Sequence, residues 1–179
     1  MELLKNSIKV ILFFSLTCSA QKTEYLVTNK NDTIYGNKIS IKRKNILTDG
    51  KNKIEFNLDT ISGYYLSKNN YYFERVISPH SRNKNRASIY LIKLTEGRIK
   101  LYLYFDGYGT DFQKELYISK NNSELKKIPI GRIKFGLKST YEEIRPFIED
   151  DSLTVSKLES IDPKKDAFVN LINEYNKRF

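Results

Sequence analysis

Apolar and polar residues alternate along most of the chain between Glu24 and about Ile130, and this period of two is typical of β-strands with one buried face. Segment 98–105 shows the alternation most clearly. Its two faces carry Ile99, Leu101, Leu103 and Phe105 on one side and Arg98, Lys100, Tyr102 and Tyr104 on the other. The pattern predicts that this part of the chain is built from strands.

Short turn signals separate these strands. Asp49-Gly50 and Glu96-Gly97 are typical of hairpin turns, and Asn-rich turns are predicted at 68–70 and 121–122. Because tight turns join successive strands, we expect neighbouring strands to pair antiparallel.

A single strand is predicted over TIYGNKISI (33–41), with Ile34, Ile39 and Ile41 facing inward. Gly36 lies in its middle. A glycine at such a position indicates a bulge or the close approach of another backbone.

The period changes after Pro129. Ser139, followed three residues later by Glu142, has the capping-box pattern of a helix start, and Pro146 predicts that this helix is short or kinked. A second helix is predicted over 162–179, capped by Asp162. Its apolar stripe at helical spacing consists of Ala167, Phe168, Leu171, Ile172 and Tyr175.

These elements predict an α+β fold, in which an antiparallel β meander or partly closed barrel over 24–130 is followed by C-terminal helices at about 139–179. The chain of 179 residues has the length of one domain, which we place at 21–179. It is long enough to bury most of its apolar side chains without disulfides or a metal.

Residues 1–20 have the pattern of a signal peptide. Lysines precede the apolar run VILFFSL (10–16), which is too short to span a bilayer. Cleavage between Ala20 and Gln21 is favoured and would remove Cys18, the only cysteine. The alternative is a lipoprotein anchored at Cys18, but Ser15 and Thr17 fit a lipoprotein signal poorly.

The chain carries a formal net charge of +10, which raises the question of a polyanionic partner. Basic residues are spread along the sequence instead of forming one stripe, so nucleic acid is not the favoured partner. A basic polyanion-binding module remains an alternative. It would use Arg82, Lys84 and Arg86 in the predicted exposed loop 78–86.

Few residue patterns in the chain indicate catalysis or a metal site. His80 is the only histidine and lies in that polar loop, and after removal of Cys18 no zinc set of the Cys/His kind can form in a monomer. No phosphate-binding glycine motif is present, so no cofactor and no metal are predicted. A carboxylate hydrolase of envelope glycans is a second alternative, using Asp106, Asp111 or Glu149.

Two tyrosine pairs lie on adjacent predicted strands. Tyr64-Tyr65 and Tyr71-Tyr72 could form a stacking platform for a sugar or a peptide, because their rings pack while their hydroxyls stay solvated. They could equally be ordinary cross-strand aromatic pairs. With 13 Tyr, 10 Phe and no Trp, the composition is typical of strand surfaces that are partly exposed to solvent.

Three segments carry a resemblance: NDTIYGNKI (31–39), DTISGYY (59–65) and EGRIKLYLY (96–104), with Tyr175-Asn176 near the end of the last helix. Together they resemble a family of uncharacterised exported proteins of Bacteroidota, some of which are associated with outer-membrane barrels. Asn31 replaces the family's turn glycine, which is tolerable because Asn also accepts positive φ. The resemblance implies export and a cell-envelope setting, and it supplies no reaction or catalytic residues.

The favoured function is therefore a non-enzymatic binding or structural module of the cell envelope, with an envelope protein or a glycan as its partner. Its location is expected to be the periplasm, the outer membrane or the medium.

Mass spectrometry of the protein from its native envelope should show an N-terminus at Gln21, a residue that can cyclise, since a signal peptidase selects small residues at the positions of Cys18 and Ala20. A diacylglyceryl group on Cys18 would instead identify a lipoprotein. An intact Met1 would contradict both forms of export.

Overall fold

A computed structural model describes residues 23–41, 45–78, 88–106, 113–128, 136–161 and 164–179. Within these ranges the fold is α+β, as predicted: eight strands form a large antiparallel sheet, three form a small one, and three helices follow. The strands are β1 (Glu24–Thr28), β2 (Thr33–Gly36), β3 (Lys38–Ile41), β4 (Asn45–Asp49), β5 (Asn52–Glu55), β6 (Ile61–Leu66), β7 (Tyr71–Ile77), β8 (Ser88–Lys93), β9 (Ile99–Asp106), β10 (Gln113–Lys120) and β11 (Lys126–Ile128). The helices are α1 (Gly136–Ile148), α2 (Ser152–Leu158) and α3 (Lys165–Asn176).

The large sheet is a meander with one added hairpin. Strands β6 to β11 pair in chain order, each antiparallel to the next, and the β1–β2 hairpin joins through β1 beside β6. Strands β3, β4 and β5 form the small sheet. Among the described strands β2 and β11 are the two edges of the large sheet, so the meander, and not the partly closed barrel, is the form observed.

Segment 33–41 is two strands in different sheets, so the prediction of one strand was wrong. Gly36 is the last residue of β2. A Cβ there would lie 2.5 Å from Leu47 Cδ1 and 2.9 Å from the carbonyl oxygen of Thr48. The predicted close approach at this glycine is confirmed: the chain passes from one sheet to the other against β4 of the small sheet.

The inward orientation predicted for this segment holds only in part. Ile39 is buried under the small sheet, whereas Ile34 is 37% exposed on the edge strand β2. The alternation of the sequence does not show that the two isoleucines belong to different sheets.

One face of the large sheet, here called the core face, is covered by two layers. The helices pack over β9, β10 and β11, and the small sheet packs over β1 and β6. Phe168, Leu171, Ile172 and Tyr175 of α3 are all buried in the first of these contacts, as the helical stripe predicted. Neither the described helices nor the small sheet covers the opposite face of the large sheet.

The helix boundaries differ from the predicted ones. Helix α1 begins at Gly136, so Ser139 lies within it, and the helix continues through Pro146 to Ile148. Lys164 occupies the cap position of α3 without a side-chain cap bond, so the predicted cap at Asp162, a residue outside the described ranges, was wrong. None of the described helices combines the length and apolar character needed to cross a membrane.

Helix α2 was not predicted. Its cap is Asp151, whose carboxylate accepts hydrogen bonds from the Leu153 amide at 3.2 Å and the Thr154 hydroxyl at 2.7 Å. Arg178 also donates to this carboxylate. The cap therefore fixes the end of the chain against the second helix.

The last residue of α3 is bonded to the β8–β9 turn. Asn176 Nδ2 donates to the carbonyl oxygens of Glu96 at 2.9 Å and Ile99 at 2.7 Å, and its Oδ1 accepts from the Ile99 amide at 2.8 Å. Gly97 lies in this turn with φ of 123°, and a Cβ on it would lie 2.8 Å from Asn176 Cγ. The turn thus needs glycine both for its backbone and for the helix contact.

Gly97→Ala should be markedly more destabilising than Gly50→Ala. Gly50 also has positive φ, of 57°, but nothing lies within 4 Å of a Cβ there, so its alanine variant should cost about 1 kcal/mol for the backbone alone. Gly97→Ala adds displacement of Asn176, for a total of at least about 2 kcal/mol.

Urea unfolding of the two variants measures this difference. Equal destabilisation of both would contradict a structural role for the Asn176 contact.

Candidate functional site

A single register places tyrosines from six strands in one line across the large sheet. The pairs along it are Tyr35–Tyr25, Tyr25–Tyr65, Tyr65–Tyr72, Lys93–Tyr102, Tyr102–Tyr117 and Tyr117–Lys127. The gap between Tyr72 and Lys93 is closed by a cation–π contact, with Nζ 4.8 Å from the ring centroid. We call this line, from Tyr35 to Lys127, the tyrosine row; it lies on the face opposite the core face.

The half of the row on β2, β1, β6 and β7 is an aromatic cluster open to solvent. Tyr25 is at its centre: its ring stacks on Tyr65 at 5.2 Å and 16°, and lies 5.8 Å from Tyr35 and 6.2 Å from Tyr72. Tyr35 is 63% exposed, and the other three are partly exposed. Such rings offer a large contact area with a polar rim.

The other half of the row is buried. Tyr102 and Tyr117 are 3% and 0% exposed and pack with Leu91. Burial, reinforced by the charge of Glu74, raises the pKa of the Tyr102 phenol well above its ordinary value. This phenol is therefore neutral at physiological pH and can donate a hydrogen bond.

Between the two halves lies a cluster of paired charges. Glu74 Oε1 is 3.2 Å from Lys100 Nζ, its Oε2 is 3.3 Å from Lys93 Nζ, and Lys93 also pairs with Glu96. Burial lowers the pKa of Lys93, but the hydrogen bond that its ammonium donates to Glu96 and the carboxylate charges outweigh this effect and raise the pKa overall. The positive and negative charges are equal in number, so this part of the face attracts neither anions nor cations strongly.

Gly63 makes room for one of the row's phenols. A Cβ on this residue of β6 would collide with the Tyr72 hydroxyl and lie 2.7 Å from the carbonyl oxygen of Phe73. The ring of Tyr72 on β7 can therefore lie across the neighbouring strand only because residue 63 has no side chain.

The structure divides the four predicted tyrosines between the two faces. Tyr65 and Tyr72 belong to the row, whereas Tyr64 stacks on Phe73 at 4.7 Å within the core face and is 7% exposed. Tyr71 pairs with Leu66 and does not lie in the row. Adjacent residues of a strand face opposite sides, so the four cannot form one platform.

Most residues of the two alternative functions are not among those that the structure describes. His80, Arg82, Lys84, Arg86 and Asp111 fall outside the described residues, as do Cys18 and the expected cleavage site at Ala20 and Gln21. Asp106 ends β9, and Glu149 is exposed after α1. The hydrolase and polyanion hypotheses stay predictions.

The neighbouring acidic residue Asp150 has a structural role. Its carboxylate is 2.9 Å from Arg98 and 2.8 Å from Lys120, and accepts the Tyr175 hydroxyl at 2.9 Å. Among the described residues no three His, Cys, Asp or Glu side chains are grouped as a metal would require.

Sequence reasoning missed most of the row, namely Tyr25, Tyr35, Lys93, Tyr102, Tyr117 and Lys127. A signal was present, because each of these residues stands beside an apolar residue in an alternating strand. What the sequence lacks is the register that aligns them.

No protein-family model matches the chain, and neither a curated protein nor a solved structure shows significant similarity to it. Any function proposed for the protein is therefore based on the geometry of the tyrosine row.

The buried phenols should make stability fall in alkali. Burial raises the pKa of Tyr72 and Tyr102 in the folded chain, while unfolded tyrosines ionise near pH 10. Their contribution to stability is therefore complete below about pH 10 and is lost as the pH rises above it. Tyr102→Phe should lessen this loss in urea unfolding between about pH 9 and 11.

The same slope for Tyr102→Phe and the wild type would contradict the raised pKa of this phenol. Absorbance of the phenolate band, followed over the same range in the folded protein, provides an independent check.

Proposed function

We propose that the protein is an exported, non-enzymatic module that binds a cell-envelope partner through the aromatic cluster of Tyr25, Tyr35, Tyr65 and Tyr72. The observation that carries the proposal is the continuity of these four partly exposed rings. They lie on four neighbouring strands, which span about 14 Å at the usual strand spacing of about 4.8 Å.

The chemistry of the cluster suits recognition. Tyrosine rings supply large and rigid contact area at low entropic cost, and their hydroxyls hydrogen-bond at the rim. Because the sheet backbone fixes the positions from which all four side chains project, part of the conformational entropy that would oppose binding is already lost in the folded protein.

The charges beside the cluster favour an uncharged partner surface. Lys93 is paired with both Glu74 and Glu96, so it is not free to neutralise an anion. A polyanion partner, for which the sequence offers the basic residues of the predicted loop 78–86, remains the alternative that salt dependence tests.

Export is supported by the signal-peptide pattern of residues 1–20 and by the resemblance to exported Bacteroidota proteins. The expected cleavage site precedes β1, which begins at Glu24, so removal of residues 1–20 leaves every described strand intact.

Binding of native envelope extract to the immobilised protein tests the proposal. Tyr35→Ala should weaken capture of the specific partner about tenfold, because Tyr35 is the most exposed ring of the cluster and an aromatic ring in a contact contributes on the order of 1–2 kcal/mol. Tyr71→Ala is the matched control, since Tyr71 is a partly exposed tyrosine of β7 outside the row.

Equal capture by the wild type and Tyr35→Ala would overturn the proposal. A steep loss of capture between low and high salt would favour the polyanion alternative. Cleavage of a glycan panel that Asp106→Asn abolishes would favour the hydrolase.

A further inference from the structure

A cavity of about 340 Å³ opens on the same face as the tyrosine row, at its buried end. It lies between the end of β7, the strands β9 and β10, and the turn at 121–125. Tyr102 of the row lines it. The volume falls within the range of small-molecule sites, near its lower limit of about 300 Å³.

The wall of the cavity combines apolar and polar groups. Val76, Ile77 and Leu125 are its apolar side chains, and Val76 and Leu125 pack against the cluster that contains Tyr102. Its polar groups are a carboxylate, an ammonium and a phenol from Glu74, Lys100 and Tyr102, with the hydroxyl of Ser119, which donates to the carbonyl oxygen of Ser123 at 2.8 Å. A ligand that fits must therefore present both an apolar surface and several hydrogen-bonding groups.

The charges of the wall disfavour anionic ligands. Lys100 is the only cation that lines the cavity among the described residues, and it is held by Glu74 at 3.2 Å. A phosphate would meet the carboxylates of Glu74 and Glu124 with no unpaired cation to offset the repulsion.

Two polar groups at the rim remain for a ligand. The side chains of Asn122 and Glu124 line the cavity and are exposed, and neither forms a hydrogen bond or ion pair with another described residue. An amide offers donors and an acceptor, and a carboxylate offers acceptors, so together they suit a compound with several hydroxyl groups.

We infer that this cavity binds a neutral saccharide unit, with its C–H surface on Val76, Ile77 and Leu125 and its hydroxyls on the polar groups of the wall. A mono- or disaccharide has both of the required surfaces and no charge. The inference rests on the proposed binding function and names its ligand class: a glycan whose end occupies the cavity while the rest lies along the tyrosine row.

Titration of the isotope-labelled exported protein with glucose, cellobiose and N-acetylglucosamine, followed by amide chemical shifts, tests the site. At least one neutral sugar should shift the amides of Ser119 and 122–125 saturably. Glucose 6-phosphate should bind at least tenfold more weakly than glucose. At about 10 mM sugar a site with a Kd of about 1 mM would be nine-tenths filled, so the absence of shifts for all three neutral sugars there overturns the inference.

The variant pair is chosen to preserve the turn. Asn122→Gly with Glu124→Ala removes both rim groups, and glycine accepts the φ of 58° found at Asn122. This double variant should weaken sugar binding at least tenfold. Asn121→Gly is the control, since Asn121 has φ of 54° in the same turn but does not line the cavity, and it should bind as the wild type does.

The experiments distinguish a failure of the proposed binding function from a failure of the cavity assignment. If Tyr35→Ala loses the envelope partner while no sugar reaches the cavity, the binding function stands and the cavity assignment is overturned. If sugars fill the cavity but Tyr35→Ala captures the partner fully, the assignment stands and the proposed role of the aromatic cluster is overturned. Equal sugar affinity of the double variant and the control would also overturn the cavity assignment.

Discussion

Burial of the core face is the constraint on which the rest of the structure depends. In each strand of the large sheet, an apolar residue that faces the covering layers stands directly beside a tyrosine or lysine that faces the other way. The pairs, in sheet order, are Ile128/Lys127, Leu116/Tyr117, Leu103/Tyr102, Ile92/Lys93, Phe73/Tyr72, Tyr64/Tyr65, Leu26/Tyr25 and Ile34/Tyr35. Aligning the apolar row therefore aligns the tyrosine row as well, because the side-chain period of a strand is two.

Two hydrogen-bonded side chains hold the covering layers on this face. Asn176 ties α3 to the β8–β9 turn, and the buried carboxylate of Glu24 accepts from the Ile39 amide of the small sheet and the Ser67 amide of the β6–β7 turn. Both layers are therefore attached to the large sheet by polar contacts as well as apolar ones. With one face covered in this way, the opposite face has two parts. Its tyrosines on β1, β2, β6 and β7 are at least partly exposed and tolerate water without losing their packing, whereas Tyr102 and Tyr117 on β9 and β10 are buried.

The sequence predicted local features well because local residues determine them. Gly50, Gly97 and the Asn-rich turns adopt the positive φ that their hairpins require, and the α3 stripe is buried. Sheet membership and register depend on distant pairing, so the division at Gly36 and the separation of Tyr64 from Tyr65 were not predicted. Helix α2 was not predicted because it has only seven residues and its start depends on the Asp151 cap.

Several glycine and asparagine residues have geometric roles. Gly97 and Asn176 fit each other at the β8–β9 turn, Gly63 accommodates the phenol of Tyr72, and Asn31 takes a φ of 67° beside the first hairpin. These residues shape the fold without offering a group to a partner. Exposed groups are present at Tyr35 on the edge strand and at the Asn122–Glu124 rim of the cavity. Since Tyr102 belongs both to the tyrosine row and to the cavity wall, a ligand long enough to span the face would contact both positions at once.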